Sequence, residues 1–210
     1  MDMGQQHPLP KQETGEVYTT GNVLIRRIGE RLTRKIGEML RDIGATERFG
    51  LDIGCAEGHL LADLKRQGVI GEVVAVELEF EKITSSVANG TGVRFVQGDA
   101  ENIGVRSETF DYVMATEVLE HLPHPEKALA EIGRVAKRKA PVILSVPYEP
   151  YFHIGNICRG KHLHRGGRTP SHLHFWHRKE FRDLITPYVR IEKECTFATF
   201  PWLLYLCTCK

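Results

Sequence analysis

Long apolar runs are missing from this chain. The longest, Trp202 to Cys207, falls far short of the roughly 18 residues that a membrane-spanning helix needs, so no transmembrane segment is expected. Residues 1–16 carry Gln, Pro, Lys and Glu without an apolar centre, so no secretory leader is expected either. Charge of one sign is also missing. The 28 Lys and Arg nearly cancel the 27 Asp and Glu, leaving +1, which argues against coating nucleic acid through bulk charge but leaves room for a local basic patch. Cysteine is scarce. Five residues, an odd number with no repeated spacing, point to reduced thiols and a cytoplasmic location. No internal repeat is visible. What remains is ordinary globular composition, 41% hydrophobic and 26% charged, over 210 residues. That length suffices for one domain with a sizeable core and no metal or disulfide staple.

Residues 1–20 read as a flexible arm, and 21–210 as the domain. A helix is expected from Asn22, a good N-cap, to Gly44, with Ile25, Ile28, Leu32, Ile36, Met39 and Ile43 forming one stripe. Its Arg-rich polar positions read as a solvated face, with a lid over the acceptor or a weak anchor to anionic membranes as the alternatives. Strands and helices then alternate. Phe49–Ile53, Val73–Val76, Val93–Gln97, Phe110–Ala115 and Pro141–Val146 read as strands; Gly58–Gln67, Glu79–Ala88 and Pro125–Ala136 read as helices. Near-continuous apolar strands joined by short connections signal a buried parallel sheet with helices on both faces. After a short helix at Glu180–Ile185, Val189–Cys195 and Phe200–Cys209 read as a closing antiparallel pair. Residues 148–179 break this rhythm and read as a cap insert, with six of the ten His, six Lys and Arg, and a single acid, Glu149.

The chemistry concentrates at strand ends. Asp52-Ile53-Gly54-Cys55-Ala56-Glu57-Gly58 ends the first strand and opens a helix, where glycines allow close approach and helix N–H groups stand free. Glu77 ends the second strand, followed by Leu78; Asp99-Ala100 follows the third; Thr116-Glu117 follows the fourth. One ligand lying across the carboxyl edge of the sheet would meet all of them. A dinucleotide is disfavoured. The turn Gly54-x-Ala56-x-Gly58 is one residue tighter than the pyrophosphate-binding pattern, and Asp52 suits a cationic ligand better than a pyrophosphate.

These motifs, with Val-Gln-Gly-Asp-Ala at 96–100 and Phe-Asp-Tyr-Val-Met-Ala-Thr-Glu-Val-Leu-Glu-His-Leu at 110–122, resemble those of class I S-adenosylmethionine-dependent methyltransferases of the small-molecule type. The resemblance implies a Rossmann-like, seven-stranded, mostly parallel sheet with an antiparallel C-terminal hairpin. It also implies S-adenosylmethionine as cofactor, with Asp52, Gly54 and Gly58 around its methionine part, Glu77 and Leu78 at the ribose, and Asp99 and Ala100 at the adenine. Glu117 joins the expected cofactor site. Ala56 departs from the family, which usually has Gly there.

If helical, Glu117, Glu120 and His121 share one face, a half-site for a divalent metal, and His172 stands where the resemblance to metal-dependent RNA 2′-O-methyltransferases and ubiquinone O-methyltransferases implies a further ligand. The plainer reading has Glu117 capping a helix and His121 beside the sulfonium, with no metal. A zinc site built from the His cluster alone lacks standard spacing. For an acceptor that must lose a proton, His121 is the first candidate base, then Glu117, then His172. The expected activity is methyl transfer to oxygen or carbon of a small acceptor, aromatic, quinone precursor, lipid or glycan-linked, and anionic if the basic cap clamps it. A metal-dependent RNA 2′-O-methyltransferase and a noncatalytic partner subunit are the alternatives.

Overall fold

In the computed structural model of the chain, the residues described are 23–86, 90–149, 151–158, 160–197 and 200–210. The arm expected at 1–20 and the Asn22 cap lie outside them. Seven strands form one sheet: β1 (Gly50–Ile53), β2 (Val73–Glu77), β3 (Arg94–Gln97), β4 (Tyr112–Thr116), β5 (Pro141–Pro147), β6 (Val189–Phe197) and β7 (Phe200–Cys209). Their order is β3-β2-β1-β4-β5-β7-β6. The first five run parallel, while β7 pairs antiparallel with both β5 and β6. The strand order reverses between β1 and β4, so a crevice opens there at the carboxyl edge.

Two apolar layers sandwich the sheet, and the alternation of side chains along each strand divides residues between them. On one face, Leu32, Ile36, Met39 and Leu40 of α1 (Val23–Asp42) and Leu60, Leu61 and Leu64 of α2 (His59–Arg66) pack on Ala75, Met114 and Ile143. Leu32, Ile36 and Met39 of the expected stripe thus lie on the buried face of α1, with Ile28 and Ile43 partly buried beside them. On the other face, α4 (Pro125–Val135) packs Ala128, Leu129 and Ile132 against Leu51, Ile53 and Val113, and Phe181 and Ile185 join the same layer.

Three local expectations need correction. The helix expected at Glu79–Ala88 is only α3 (Phe80–Thr84) within the described residues. The hydroxyls of Thr84 and Ser85 both donate back to the Glu81 carbonyl at 2.9 and 2.8 Å, offering the chain an alternative to another helical turn. The helix expected at Glu180 begins at Arg178 (α6, Arg178–Ile185), because His177 and Glu180 cap each other reciprocally. The cap holds a helix of its own, α5 (Tyr151–Cys158), where no element was expected. Among the described residues, no helix is long and apolar enough to cross a membrane.

Candidate active site

The turn after β1 sits tightly on the loop after β4. Gly54 has φ +71°, and a Cβ there would lie 2.5 Å from Val118 Cγ2. The space a side chain would fill is taken by Val118, so the glycine serves packing within the chain as well as approach by a ligand. Ala56 also lies in the left-handed region, at φ +47°, where the resemblance leads one to expect glycine. Its N–H donates to Glu77 Oε2 at 2.9 Å, and the Glu79 N–H donates to Oε1 at 3.0 Å. The Glu77 carboxylate, 4% exposed, therefore ties the β1 turn to the end of β2. Each oxygen keeps a second lone pair, so hydroxyls of a ligand can still be accepted.

An open cleft lies at this edge, and its lining includes Gly54, Glu77, Leu78, Asp99, Ala100 and His121. Asp52, Gly58, Glu117, Glu120 and His172, which the sequence also singled out, do not line it. Gly58 instead starts α2 from a left-handed conformation. Asp52 alternates with Leu51 and Ile53 along β1, so it faces the α1–α2 layer rather than the cleft. It is 2% exposed, and its Oδ1 has no hydrogen-bond partner. Burial, and then the nearby Glu77 charge, push its carboxyl up to about 8.

The run 117–121 is not an α-helix. Only Leu119–His121 forms one 3-10 turn, and Glu117 precedes it at φ +57°. Glu117, Glu120 and His121 therefore do not share a helical face. The Glu117 carboxylate accepts from Ser145 Oγ at 2.9 Å and Trp202 Nε1 at 2.5 Å. Burial raises it to about 7, against the pull of those two donors. Glu120 is 1% exposed with neither oxygen partnered, and burial followed by the Glu117 charge holds its carboxyl well above the usual range.

His121 Nδ1 lies 2.9 Å from the Ser171 carbonyl. A carbonyl can only accept, so Nδ1 carries the proton and Nε2 is left bare. Burial lowers the His121 pKa, which keeps the ring neutral. His172 meets it edge to face at 4.9 Å, and burial with the His121 charge pushes its own pKa down to about 3. One ligand atom each from Glu120, His121 and His172 falls within 4.8 Å of the others, a set that could hold a metal ion; Glu117 stands outside it.

A strap from the cap clasps this turn. Leu173 and His174 N–H both donate to the Glu120 carbonyl, at 2.8 and 3.2 Å, and His174 Nε2 lies 2.9 Å from the Leu122 carbonyl. Sequence reasoning missed Val118, Ser145, Ser171 and Trp202. Trp202 was visible as a rare residue, but its distance of 85 positions from Glu117 carries no local signal.

Comparison with known proteins agrees with this geometry. Residues 51–144 match the family model described as a methyltransferase domain. Norajmaline N-methyltransferase from Rauvolfia serpentina is 33% identical over 99 residues, covering 45% of this chain and 34% of that protein. A ubiquinone biosynthesis O-methyltransferase from Hahella chejuensis is 29% identical over 150 residues, covering 64% of this chain and 62% of that protein. The chain thus spans less than two thirds of these curated relatives. Magnesium protoporphyrin IX methyltransferase from Synechocystis PCC 6803, solved with bound SAH, superposes with a TM-score of 0.70 at 16% identity, covering 93% of this chain and 92% of that one. Residues 51–144, from β1 into β5, thus match a methyltransferase domain, and the sheet in this order has the fold of that solved methyltransferase.

Proposed function

We propose that the chain transfers a methyl group from S-adenosylmethionine to oxygen or carbon of a small-molecule acceptor. One observation carries this reading: Gly54, Glu77, Asp99 and His121 come from four separate loops and line a single cleft. Glu77 offers its remaining lone pairs to ribose hydroxyls, and Asp99 with Ala100 flanks the adenine. The cofactor supplies an electrophilic methyl and leaves as a neutral thioether, so little acid catalysis is needed at that end. Alignment of donor and acceptor then supplies most of the rate. His121 lines the cleft and keeps its Nε2, 4.0 Å from Glu120 Oε1, unprotonated, so that it can take a proton from an acceptor hydroxyl. Glu117, engaged by Ser145 and Trp202, is a positioning residue for the loop that carries His121. The named relatives, an N- and an O-methyltransferase, are in keeping with an acceptor of small size.

The unpartnered oxygens of Glu120 and the neutral rings of His121 and His172 fit a divalent cation. Such an ion would lower the pKa of an acceptor hydroxyl. That triad also favours the second reading, metal-dependent methylation of an RNA 2′-hydroxyl. Calorimetry with S-adenosylhomocysteine tests the main proposal. Binding is expected for the wild type and weaker binding for Glu77→Ala; a wild type that binds nothing overturns both enzyme readings and leaves a noncatalytic partner subunit. Chelator-sensitive methylation of small RNA would replace the first reading with the second.

A further inference from the structure

We propose that the outward face of the cap, α5 and the turn after it, docks on an anionic lipid bilayer. This goes beyond the methyl-transfer reading and does not depend on it. α5 points Phe152 inward, against His172 and Trp202, and buries Asn156 at 2% exposure. His153 also turns in, onto Glu149 and the Phe175 ring, while Tyr151, Ile154 and Ile157 face out at 41%, 53% and 45% exposure. The following turn is built onto the same helix. Asn156 Nδ2 donates to the Gly167 carbonyl at 2.8 Å, and a Cβ on Gly167 would lie 2.5 Å from the His153 carbonyl oxygen. That turn carries Leu163, at 60% exposure, on the single 3-10 turn Leu163–Arg165. Four large apolar side chains therefore stand out from one small unit, where monomeric surfaces usually show them singly.

The charge along this stretch has one sign. No acid occurs between the buried Glu149, which faces inward onto His153, and Glu180, while Lys161, Arg165 and Arg168 fall in the stretch, Arg165 exposed and Arg168 exposed but lying over the Phe175 ring. Apolar side chains on a short helix rimmed by cations are the chemistry of an interfacial element. The apolar groups enter the boundary of the acyl chains while Arg and Lys meet lipid phosphates. An acidic protein surface would satisfy the cations but not four protruding apolar side chains. The inner side of α5 roofs His172, so docking in this way would set the candidate site against the lipid surface.

Co-sedimentation with phosphatidylcholine vesicles, with and without phosphatidylglycerol, tests the proposal. The wild type is expected to bind the phosphatidylglycerol vesicles, less so as salt rises, and to bind phosphatidylcholine alone weakly. Arg165→Glu should weaken binding about fivefold or more, and Ile154→Asp with Ile157→Asp about tenfold or more. Both variants should keep the thermal midpoint and the S-adenosylhomocysteine affinity of the wild type, so that loss of vesicle binding is not loss of fold. A wild type that ignores anionic vesicles overturns the proposal. So does binding that survives these changes but is lost in Arg27→Glu with Arg34→Glu, which would move the contact to α1. A dimer that the paired Ile changes dissolve, in a protein that binds no vesicle, would assign the face to a second copy instead.

Discussion

Replacing Asp52 by asparagine isolates one buried proton. The Asp52 carboxyl lies beneath the β1 turn, 2% exposed, with an unpartnered oxygen and Glu77 for a neighbour, and its pKa is pushed from 3.8 up to about 8. Between those values the folded chain keeps a proton that the unfolded chain has released. The folded state then binds more protons, so its stability falls as pH rises across that window. At about 1.4 kcal/mol per pH unit, the cost reaches about 6 kcal/mol near pH 9. Asparagine keeps the shape and cannot ionise. Urea unfolding of both proteins from about pH 4 to 9 should therefore give two curves that diverge by about 1.4 kcal/mol per unit and run parallel above about pH 8. Titrating groups remote from Asp52 are common to both and cancel in the difference; Glu77, Cys55 and Tyr112, which feel its charge, do not cancel fully. Parallel curves throughout would show that Asp52 is solvated or partnered, and the reasoning would fail. The same proton bears on the cofactor. A cationic sulfonium bound above the turn favours ionised Asp52, so binding at neutral pH should release a proton. Calorimetry in buffers of different ionisation enthalpy reads that release directly.

Gly54→Val combines a clash with Val118 and a left-handed backbone, so we expect a loss of about 3 kcal/mol or more in thermal or urea unfolding and no measurable S-adenosylhomocysteine binding; a stable variant that binds normally would refute the packing described for that turn. Ala56→Gly relieves a left-handed alanine, and after the added freedom of the unfolded chain it should stabilise the fold by up to about 1 kcal/mol, read as a rise in the urea midpoint. His121 is lowered from 6.5 by burial, so its ring resonances, assigned by comparison with His121→Asn, should stay those of the neutral Nδ1–H tautomer as pH falls through 6.5 and change only below it. A midpoint above 6.5 would remove the ring from its role as a base that is neutral at physiological pH.

The centre of the sheet was legible because β1, β2, β4 and β5 are buried on both faces and so read as nearly unbroken apolar runs between glycines and acids, whereas the edge strand β3 is largely exposed. Val-Val-Ala-Val-Glu and Tyr-Val-Met-Ala-Thr need no knowledge of the rest of the chain to be recognised. The cleft was legible for a related reason. In a parallel sheet the strand ends that bear Gly54, Glu77 and Asp99 must meet at one edge. The 117–121 segment was misread because a spacing of three and four is only suggestive over five residues, and Glu117 is held out of helical geometry by Ser145 and Trp202, partners from β5 and β7. The direction in which Asp52 points was harder to read. Its position beside the glycine turn suggested a ligand, whereas the alternation of side chains along β1 turns it to the opposite layer. The cap was legible as a His- and Arg-rich interruption, but its helix was not. α5 has its buried polar anchor, Asn156, satisfied by a turn eleven residues away, and no apolar stripe announces it.

The carbonyl that fixes the His121 ring belongs to Ser171, on the strap, and not to the sheet. The strap is itself held by backbone N–H groups on the Glu120 carbonyl, one residue before that ring. Lifting the cap would therefore do more than open the site to solvent. It would strip His121 of the partner that selects its tautomer and free the imidazole to turn. On the proposed reading of His121 as the base, the base is armed only while the cap is seated, which would join the closing of the site to the readiness of its chemistry and guard a reactive methyl donor against idle transfer to water.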